Sequence, residues 1–294
     1  MLAIRRRFEL PLANGVALRR FDGLTTLGFR IYVVETRGVV FDTDVQRLLL
    51  GAQPSRAGQL AIVLDGEYVF RRFALQTLRV GDVVVAPLDG WDERWDGGDF
   101  RLLVIDWEAT HGAQVATAST ARLDREKLAA LTAFADAMQT PGSEGACELA
   151  LADVVDTARA LGAPLCERAA WPVVETPQAV ARVHAALSKV LTRSGSTPRW
   201  VDIETEIGVT ERTLRRWVDA HPQWFGWYPS FRQTTLYWRL SSAAMFVTAD
   251  RSRLEDIARL TGYGSSRALI HALETHGLGA PSELRRALGL RPRG

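Results

Sequence analysis

Residues 252–286, SRLEDIARLTGYGSSRALIHALETHGLGAPSELRR, leave the chain little freedom in how it folds. Leu254, Ile257, Ala258 and Leu260 recur at the spacing of one helical face. Ala258 and Gly262 stand four apart; a small residue lets a second helix cross close by, and glycine tolerates the backbone of a tight turn. Ser265 or Ser266 can cap the next helix, whose inner face carries Leu269 and Leu273 one turn apart. The segment therefore reads as two short helices joined by a turn.

The plan occurs earlier as well, from Trp200, in WVDIETEIGVTERTLRRWV. Ile203 and Ile207 face inward, Gly208 makes the turn and Thr210 caps the second helix. Leu214 and Val218 bury one side of that helix and leave Arg212, Arg215 and Arg216 outward. Between the two units, a helix from about Ser230 to Val247 carries the stripe Leu236, Leu240, Ala243, Ala244 and Val247. About 18 residues at 1.5 Å each span roughly 27 Å. That length suits two reading heads placed near the roughly 34 Å between successive major-groove turns on one face of DNA. A further helix, Gln178 to Arg193, opens the region with Val180, Val183, Leu187, Val190 and Leu191 inward. His184 lies beside that stripe and reads as a packed or surface histidine, not a ligand.

Two such units, Arg239-Leu240 followed by Ala243, then Ile257-Ala258, Gly262-Tyr263 and Pro281 before Arg285, resemble the AraC/XylS family of bacterial transcription regulators. The resemblance covers roughly residues 177–286 and is stronger in the second unit. It implies double-stranded DNA as partner, RNA polymerase as a second partner if the protein activates, a homodimer, and a cytoplasmic location. Carried over by position, it puts Arg212, Arg215 and Arg216 of the first unit, and Ser266, Arg267, Ile270 and His271 of the second, at the major groove. Arginine bonds guanine O6 and N7 with two donors, and Ile270 can touch a thymine methyl. Thr210, Ser265 and the helix N-termini would hold phosphates and set position rather than sequence. The chain departs from the family in three places. Glu204 stands where the family has a small residue, so its carboxylate must tilt to solvent or push the helices apart. HPQWFGWYPS, residues 221–230, is longer and more aromatic than the usual turn, and its aromatics form either core, a covering flap or a partner surface. Leu269 and Leu273 replace phenylalanines.

The first 120 residues have a different period. Phe29 to Thr36 is β-branched and aromatic, and Leu60 to Leu64 and Glu67 to Phe73 flank Asp65-Gly66, the signature of a two-residue hairpin. Val80-Gly81-Asp82 turns into Val83 to Pro87, and Phe100 to Trp107 is a further strand. Strands at this spacing imply a small barrel or jelly roll. The runs VLDGEYVF and LRVGDVVVAP are similar to the cupin-like ligand domain of many family members. Metal cupins need two or three histidines; this region has His111 alone, beyond the last clear strand, so no metal and no cofactor is expected. No GxSxG, phosphate loop or Cys–His arrangement points to an enzyme. Arg30, Tyr68, Arg71, Trp91 and Trp95 are the candidate lining for a small-molecule effector, an arginine pairing with an anionic group. A ligand-free protein-docking module is the alternative, and a cupin-type enzyme with a structural C-terminus is the third reading.

Leu123 to Met138 then turns helical, with Leu128, Leu131, Ala135 and Met138 on one seam, and a second helix is expected from about Glu148 to Leu161, with Leu151, Val154, Val155 and Ala158 inward. This pair either makes a dimer contact or packs on the barrel. The expected fold class is α+β: a cupin-like β-barrel over residues 1–120, a helical pair over 121–162, a linker over 163–176, and an all-α double helix-turn-helix domain over 177–294.

Charge divides along the same line. Residues 176–294 hold 17 Lys plus Arg against 10 Asp plus Glu, while the whole chain is only +2. The basic surplus thus falls where phosphates would have to bind. No apolar run of 18 residues and no signal peptide is evident, so no membrane partner is expected. Cys147 and Cys166 lie in no metal-type spacing and read as reduced thiols.

Overall fold

The computed structural model describes residues 4–11, 18–26, 29–37, 41–42, 56–71, 75–87, 95–97, 99–140, 142–167, 177–191, 195, 197–221, 231–248 and 253–287. An antiparallel sheet occupies the first part and helices the rest, an α+β architecture. The strands are β1 (Ile4–Pro11), β2 (Leu18–Thr26), β3 (Phe29–Arg37), β4 (Phe41–Asp42), β5 (Arg56–Arg71), β6 (Leu75–Arg79), β7 (Asp82–Ala86), β8 (Trp95–Gly97), β9 (Phe100–Glu108) and β10 (Ser119–Arg122). The main path runs β1-β2-β3-β9-β5-β7-β10; β6 and β8 pair with the far end of β5, and β4 pairs with β8.

The centre of the sheet is apolar on both sides, which is why β5 and β9 read as nearly continuous hydrophobic runs. Ile31, Val33, Leu60, Ile62, Val83, Leu103, Ile105 and Trp107 face one core, and Val34, Ala61, Val63, Val84, Leu102 and Val104 face another. Successive side chains on a strand point to opposite faces, so both registers are buried.

Asp65-Gly66 does not make the hairpin that its dipeptide predicts. β5 continues through it for 16 residues. Val63, Asp65 and Gly66 pair with Leu102, Arg101 and Phe100 of β9, and the register shifts by one between Val63 and Asp65. Leu64 is the extra residue of this bulge, and Asp65-Gly66 pairs on directly after it. Gly66 sits at φ +73, and a Cβ there would lie 1.9 Å from the Asp99 carbonyl oxygen. The left-handed glycine that favours a turn is accommodated here just past the bulge, and β9 keeps the strand going by pairing on both sides of it. The turn at Val80-Gly81 between β6 and β7 forms as expected, with the Arg79 N–H donating to Asp82 Oδ2 at 2.8 Å. β1, β2 and β10 carried too little alternation to be named from sequence.

Two helices cover one sheet face. α1 (Arg125–Gln139) is capped by Asp124, which accepts from the Lys127 N–H at 2.8 Å. α2 (Glu144–Ala160) starts one turn before the expected Glu148, so Cys147 joins Leu151, Val154, Val155 and Ala158 on its buried side. These residues share a core with Leu131, Phe134, Ala135 and Met138 of α1 and the sheet side chains around Trp107. Of the two readings of the pair, packing on the sheet accounts for both stripes. Arg101 of β9 reaches α1 through Asp136 at 2.6 Å and Gln139 at 3.0 Å.

Seven helices follow among the described residues: α3 (Gln178–Leu191), α4 (Trp200–Ile207), α5 (Glu211–Ala220), α6 (Phe231–Thr248), α7 (Leu254–Leu260), α8 (Ser266–Thr275) and α9 (Pro281–Ala287). They build two cores. Val183, Ala186, Val190, Ile203 and Leu214 form the first. Leu240, Ala243, Ala244, Val247, Ile257, Ala258, Leu269 and Leu273 belong to the second. The predicted stripe of α6 therefore packs against α7 and α8, while Phe231 at its first residue stacks on Trp200 of α4 with ring centroids 4.6 Å apart.

Candidate nucleic-acid interface

The pairs α4–α5 and α7–α8 turn in the same way. Gly208 is left-handed at φ +74 and Gly262 at φ +75. In the first turn the Val209 N–H reaches back to the Glu204 carbonyl at 3.3 Å; in the second the Tyr263 N–H reaches the Ala258 carbonyl at 2.7 Å. This six-to-one bond closes a helix C-terminus on a glycine and leaves the chain free to turn. Thr210 then caps α5 by accepting from the Thr213 N–H at 3.4 Å, and Ser265 caps α8 by accepting from the Ala268 N–H at 3.1 Å. The threonine and the serine named for phosphate are thus both present as caps, and the Thr210 hydroxyl also meets that of Thr213 at 3.2 Å. Glu204 is half-exposed, consistent with a carboxylate turned toward solvent at the helix crossing.

The caps set an equivalence that the sequence alone did not show. Arg212 and Arg267 are each the second residue of their helix. Leu214 matches Leu269 as the buried anchor, Arg215 matches Ile270, and Arg216 matches His271. Arg212, Arg215, Arg216, Arg267 and His271 are exposed, while Ser266 and Ile270 are half-exposed. On α5, Arg215 is engaged by Glu211, with Nη2 2.5 Å and Nε 2.8 Å from its carboxylate oxygen. The two second helices thus each show a cationic or polar outer face over an apolar inner one.

Sequence reasoning missed the residues that close the first helix of each pair. Arg182 of α3 donates to the Ile207 carbonyl at 2.8 Å and lies over the Trp217 ring at 5.3 Å. Arg239 of α6 donates through Nε to the Thr261 carbonyl at 2.8 Å and through Nη2 to the Gly262 carbonyl at 2.7 Å. Its guanidinium lies 3.9 Å from the Tyr263 ring centre. Burial raises the Tyr263 hydroxyl above its usual range, and the Arg239 charge opposes that rise. A cation at a helix C-terminus meets the negative end of the helix dipole and its unpaired carbonyls. The signal was in the sequence: RVHAALSKV from Arg182 and RLSSAAMFV from Arg239 share arginine, a following apolar residue, alanine and valine at matching places. Val183, Ala186 and Val190 are buried as Leu240, Ala243 and Val247 are. The repeating unit is therefore three helices rather than two. His184 is buried, and Arg285, buried too, donates to the Val247 carbonyl at 2.9 Å.

In the sheet, Tyr68 is 1% exposed and packs edge-on against Phe100 with centroids 5.0 Å apart, so it is core rather than the wall of an open site. Trp91 and the side chains of Arg71 and Trp95 lie outside the described residues. Arg30 is half-buried and pairs in register with Asp106, which pairs in turn with Gln59. Direct opposition puts the three on one face. Gln59 Nε2 donates to Asp106 Oδ1 at 2.9 Å and to the Tyr32 hydroxyl at 3.2 Å, and that hydroxyl donates to Asp106 Oδ2 at 3.2 Å. Gln59 and Asp106 are 4% and 2% exposed. This polar group within an apolar sheet was also missed, because its members come from three strands. Among the described residues no three His, Cys, Asp or Glu side chains gather as metal ligands, and no helix is long and apolar enough to cross a membrane.

No family model and no curated protein matches the sequence. Among solved structures, the chain is similar to wild-type ToxT from Vibrio cholerae bound to an unsaturated fatty acid, at 11% identity and a TM-score of 0.34 over 91% of this chain and 99% of that one. It is similar to the AraC-like transcriptional activator CuxR at 14% identity and a TM-score of 0.35, over 79% of this chain and 83% of that one. Streptomyces PAC13 with uridine matches 42% of this chain and 89% of its own at 13% identity, with a TM-score of 0.24.

Proposed function

We propose that this chain is a sequence-specific DNA-binding transcription regulator of the AraC/XylS type, with a double helix-turn-helix domain over residues 177–294 and a cupin-like barrel before it. The observation that carries the proposal is the paired construction of α4–α5 and α7–α8. Each ends in a capped helix whose apolar side is anchored by Leu214 or Leu269 and whose outer side offers Arg212 or Arg267 at the same position. A capped helix presenting arginine near its N-terminus suits insertion into a major groove, where base edges specify and backbone contacts position. The basic surplus of residues 176–294 supports the same reading.

In this reading Arg212 and Arg267 contact bases, with Arg215, Arg216, Ser266, Ile270 and His271 around them. The Thr210 and Ser265 caps lie near the phosphates. Of the candidate lining residues, half-buried Arg30 is the one suited to pair with an anionic effector, and the buried polar group of Tyr32, Gln59 and Asp106 lies on its face of the sheet. The protein would act in the cytoplasm, as a homodimer, with RNA polymerase as a further partner where it activates.

Selection of bound sites from random duplex DNA with the full chain tests the assignment. Enrichment of one motif with two parts is expected. Recovery of random sequence at low salt would remove the regulator assignment.

A further inference from the structure

The carbonyl end of α7 does more than close a turn. Three successive carbonyls, those of Leu260, Thr261 and Gly262, are each occupied by groups from elsewhere in the chain. The Gly195 N–H donates to Leu260 at 3.0 Å. Arg239 takes Thr261 and Gly262. The Thr197 hydroxyl donates to Gly262 at 3.2 Å. Gly195 and Thr197 belong to the connection between α3 and α4, in the first three-helix unit. Arg239 belongs to α6, which opens the second. The matching end of α4 has an arginine from its own unit, Arg182 at the Ile207 carbonyl. The internal repeat is therefore broken at one place, and there the two units touch through backbone carbonyls.

We propose that this carbonyl node is the joint that fixes the two reading helices relative to one another, with Arg239 and Thr197 as its positioning residues. The inference rests on the DNA-binding reading for its functional consequence and on the structure alone for its mechanical one. The α6 helix fixes the distance between the units, and the stack of Phe231 on Trp200 seats its first residue against the first unit. The bonds of Gly195 and Thr197 to the turn of the other unit add a second point of attachment, and two separated points resist a rotation that one allows. Arg239 makes the joint firm by holding the same carbonyls in place: its planar fork meets two of them at once, and the Tyr263 ring backs it on one side. Joined heads bind two half-sites with a high effective concentration of the second head, and loose ones forfeit that gain.

Two variants separate the joint from the fold. Thr197→Val removes one of the two hydrogen bonds between units and leaves that of the Gly195 N–H, at an exposed residue. Arg239→Met removes the fork and retains an apolar stem. Each is measured against the duplex recovered by selection and against two duplexes with one half-site scrambled. The preference for the full site over the better half-site should fall in both variants, by about tenfold in Arg239→Met, with half-site binding by the first unit unchanged. Arg239→Lys, which retains the charge but not the fork, should recover part of the preference. In parallel, spin labels at Asp219→Cys and Glu274→Cys, on a background with Cys147→Ala and Cys166→Ser, report the distance between α5 and α8 without DNA. A narrow distribution in the parent and a broad one in both variants supports the joint. Equal loss on all duplexes, an unchanged full-site preference, or unchanged distance distributions would overturn it. If the parent selects no sequence while its distances still broaden in the variants, the regulator reading fails and the joint stands.

Discussion

Glu211 grips Arg215 across one turn of α5, its carboxylate oxygen 2.5 Å from Nη2 and 2.8 Å from Nε, on the face proposed to meet DNA. Both side chains are largely exposed, so the pair adds little to stability, about 0.5 kcal/mol at most. Its weight lies in charge: a carboxylate at the first turn of a reading helix opposes phosphate. Glu211→Gln should therefore raise affinity for DNA of any sequence by a few-fold at low salt. The gain should shrink as salt is raised, because screening removes the repulsion. Affinity measured at a series of salt concentrations checks this, and a gain that persists at high salt contradicts it.

Arg267 has no such restraint from its own helix among the described contacts and shares its position with Arg212. Arg267→Ala should cost about 1–3 kcal/mol on the selected site and relax sequence choice in one half-site. Arg212→Ala should do the same in the other half-site. Binding titrations against single-base variants of the site test both. A uniform loss on all sequences would assign these arginines to phosphate.

Gly58 and Gly112 hold Trp107 between them. A Cβ at Gly58 would lie 2.4 Å from the indole Cζ2, and one at Gly112 would lie 2.7 Å from Cδ1. The indole N–H meanwhile donates to the Ala113 carbonyl at 3.1 Å. Gly58→Ala and Gly112→Ala should each destabilise the sheet by about 1–3 kcal/mol, since a packed core yields little to an added methyl. Denaturant titration followed by tryptophan fluorescence measures the loss. Midpoints equal to the parent's would show that the indole moves aside freely.

His111 is buried with its ring 5.7 Å from that of Phe29, and desolvation holds its pKa below the ordinary value of 6.5. The folded chain therefore binds a proton at His111 less readily than the unfolded chain. Its contribution to stability is complete above about pH 6.5 and is lost as the pH falls from there toward the folded value. The unfolding free energy should decline as pH is lowered from about 7.5 to 5.5. His111→Asn should flatten that slope. Urea titrations across this range compare the two; identical slopes would remove His111 as the cause.

Much of the helical part was legible because local chemistry and tertiary need agree there. Gly208, Gly262, Thr210 and Ser265 take the turn and cap positions that their side chains favour. Leu240, Ala243, Ala244 and Val247 lie on one buried face because helical geometry leaves them no other. The sheet was less legible. Asp65-Gly66 favours a hairpin, but the neighbouring strand β9, far along the chain, pairs with both residues and keeps β5 extended past a bulge at Leu64. Glu144 to Cys147 show no distinct helix signal, and α2 gains its first turn from the core that receives Cys147.

The amino-acid sequence by itself determined where helices begin and turn, because capping, glycine conformation and helical periodicity act over a few neighbouring residues. It also placed the arginines on the outer faces, since each follows from the apolar residues that must point inward. The tertiary structure alone decided which carbonyls Arg182 and Arg239 close, and which strand carries β5 straight through Asp65-Gly66. It likewise gathered Tyr32, Gln59 and Asp106 into one polar group. Those outcomes depend on partners distant in sequence, and no periodicity within a single segment encodes who the partner is.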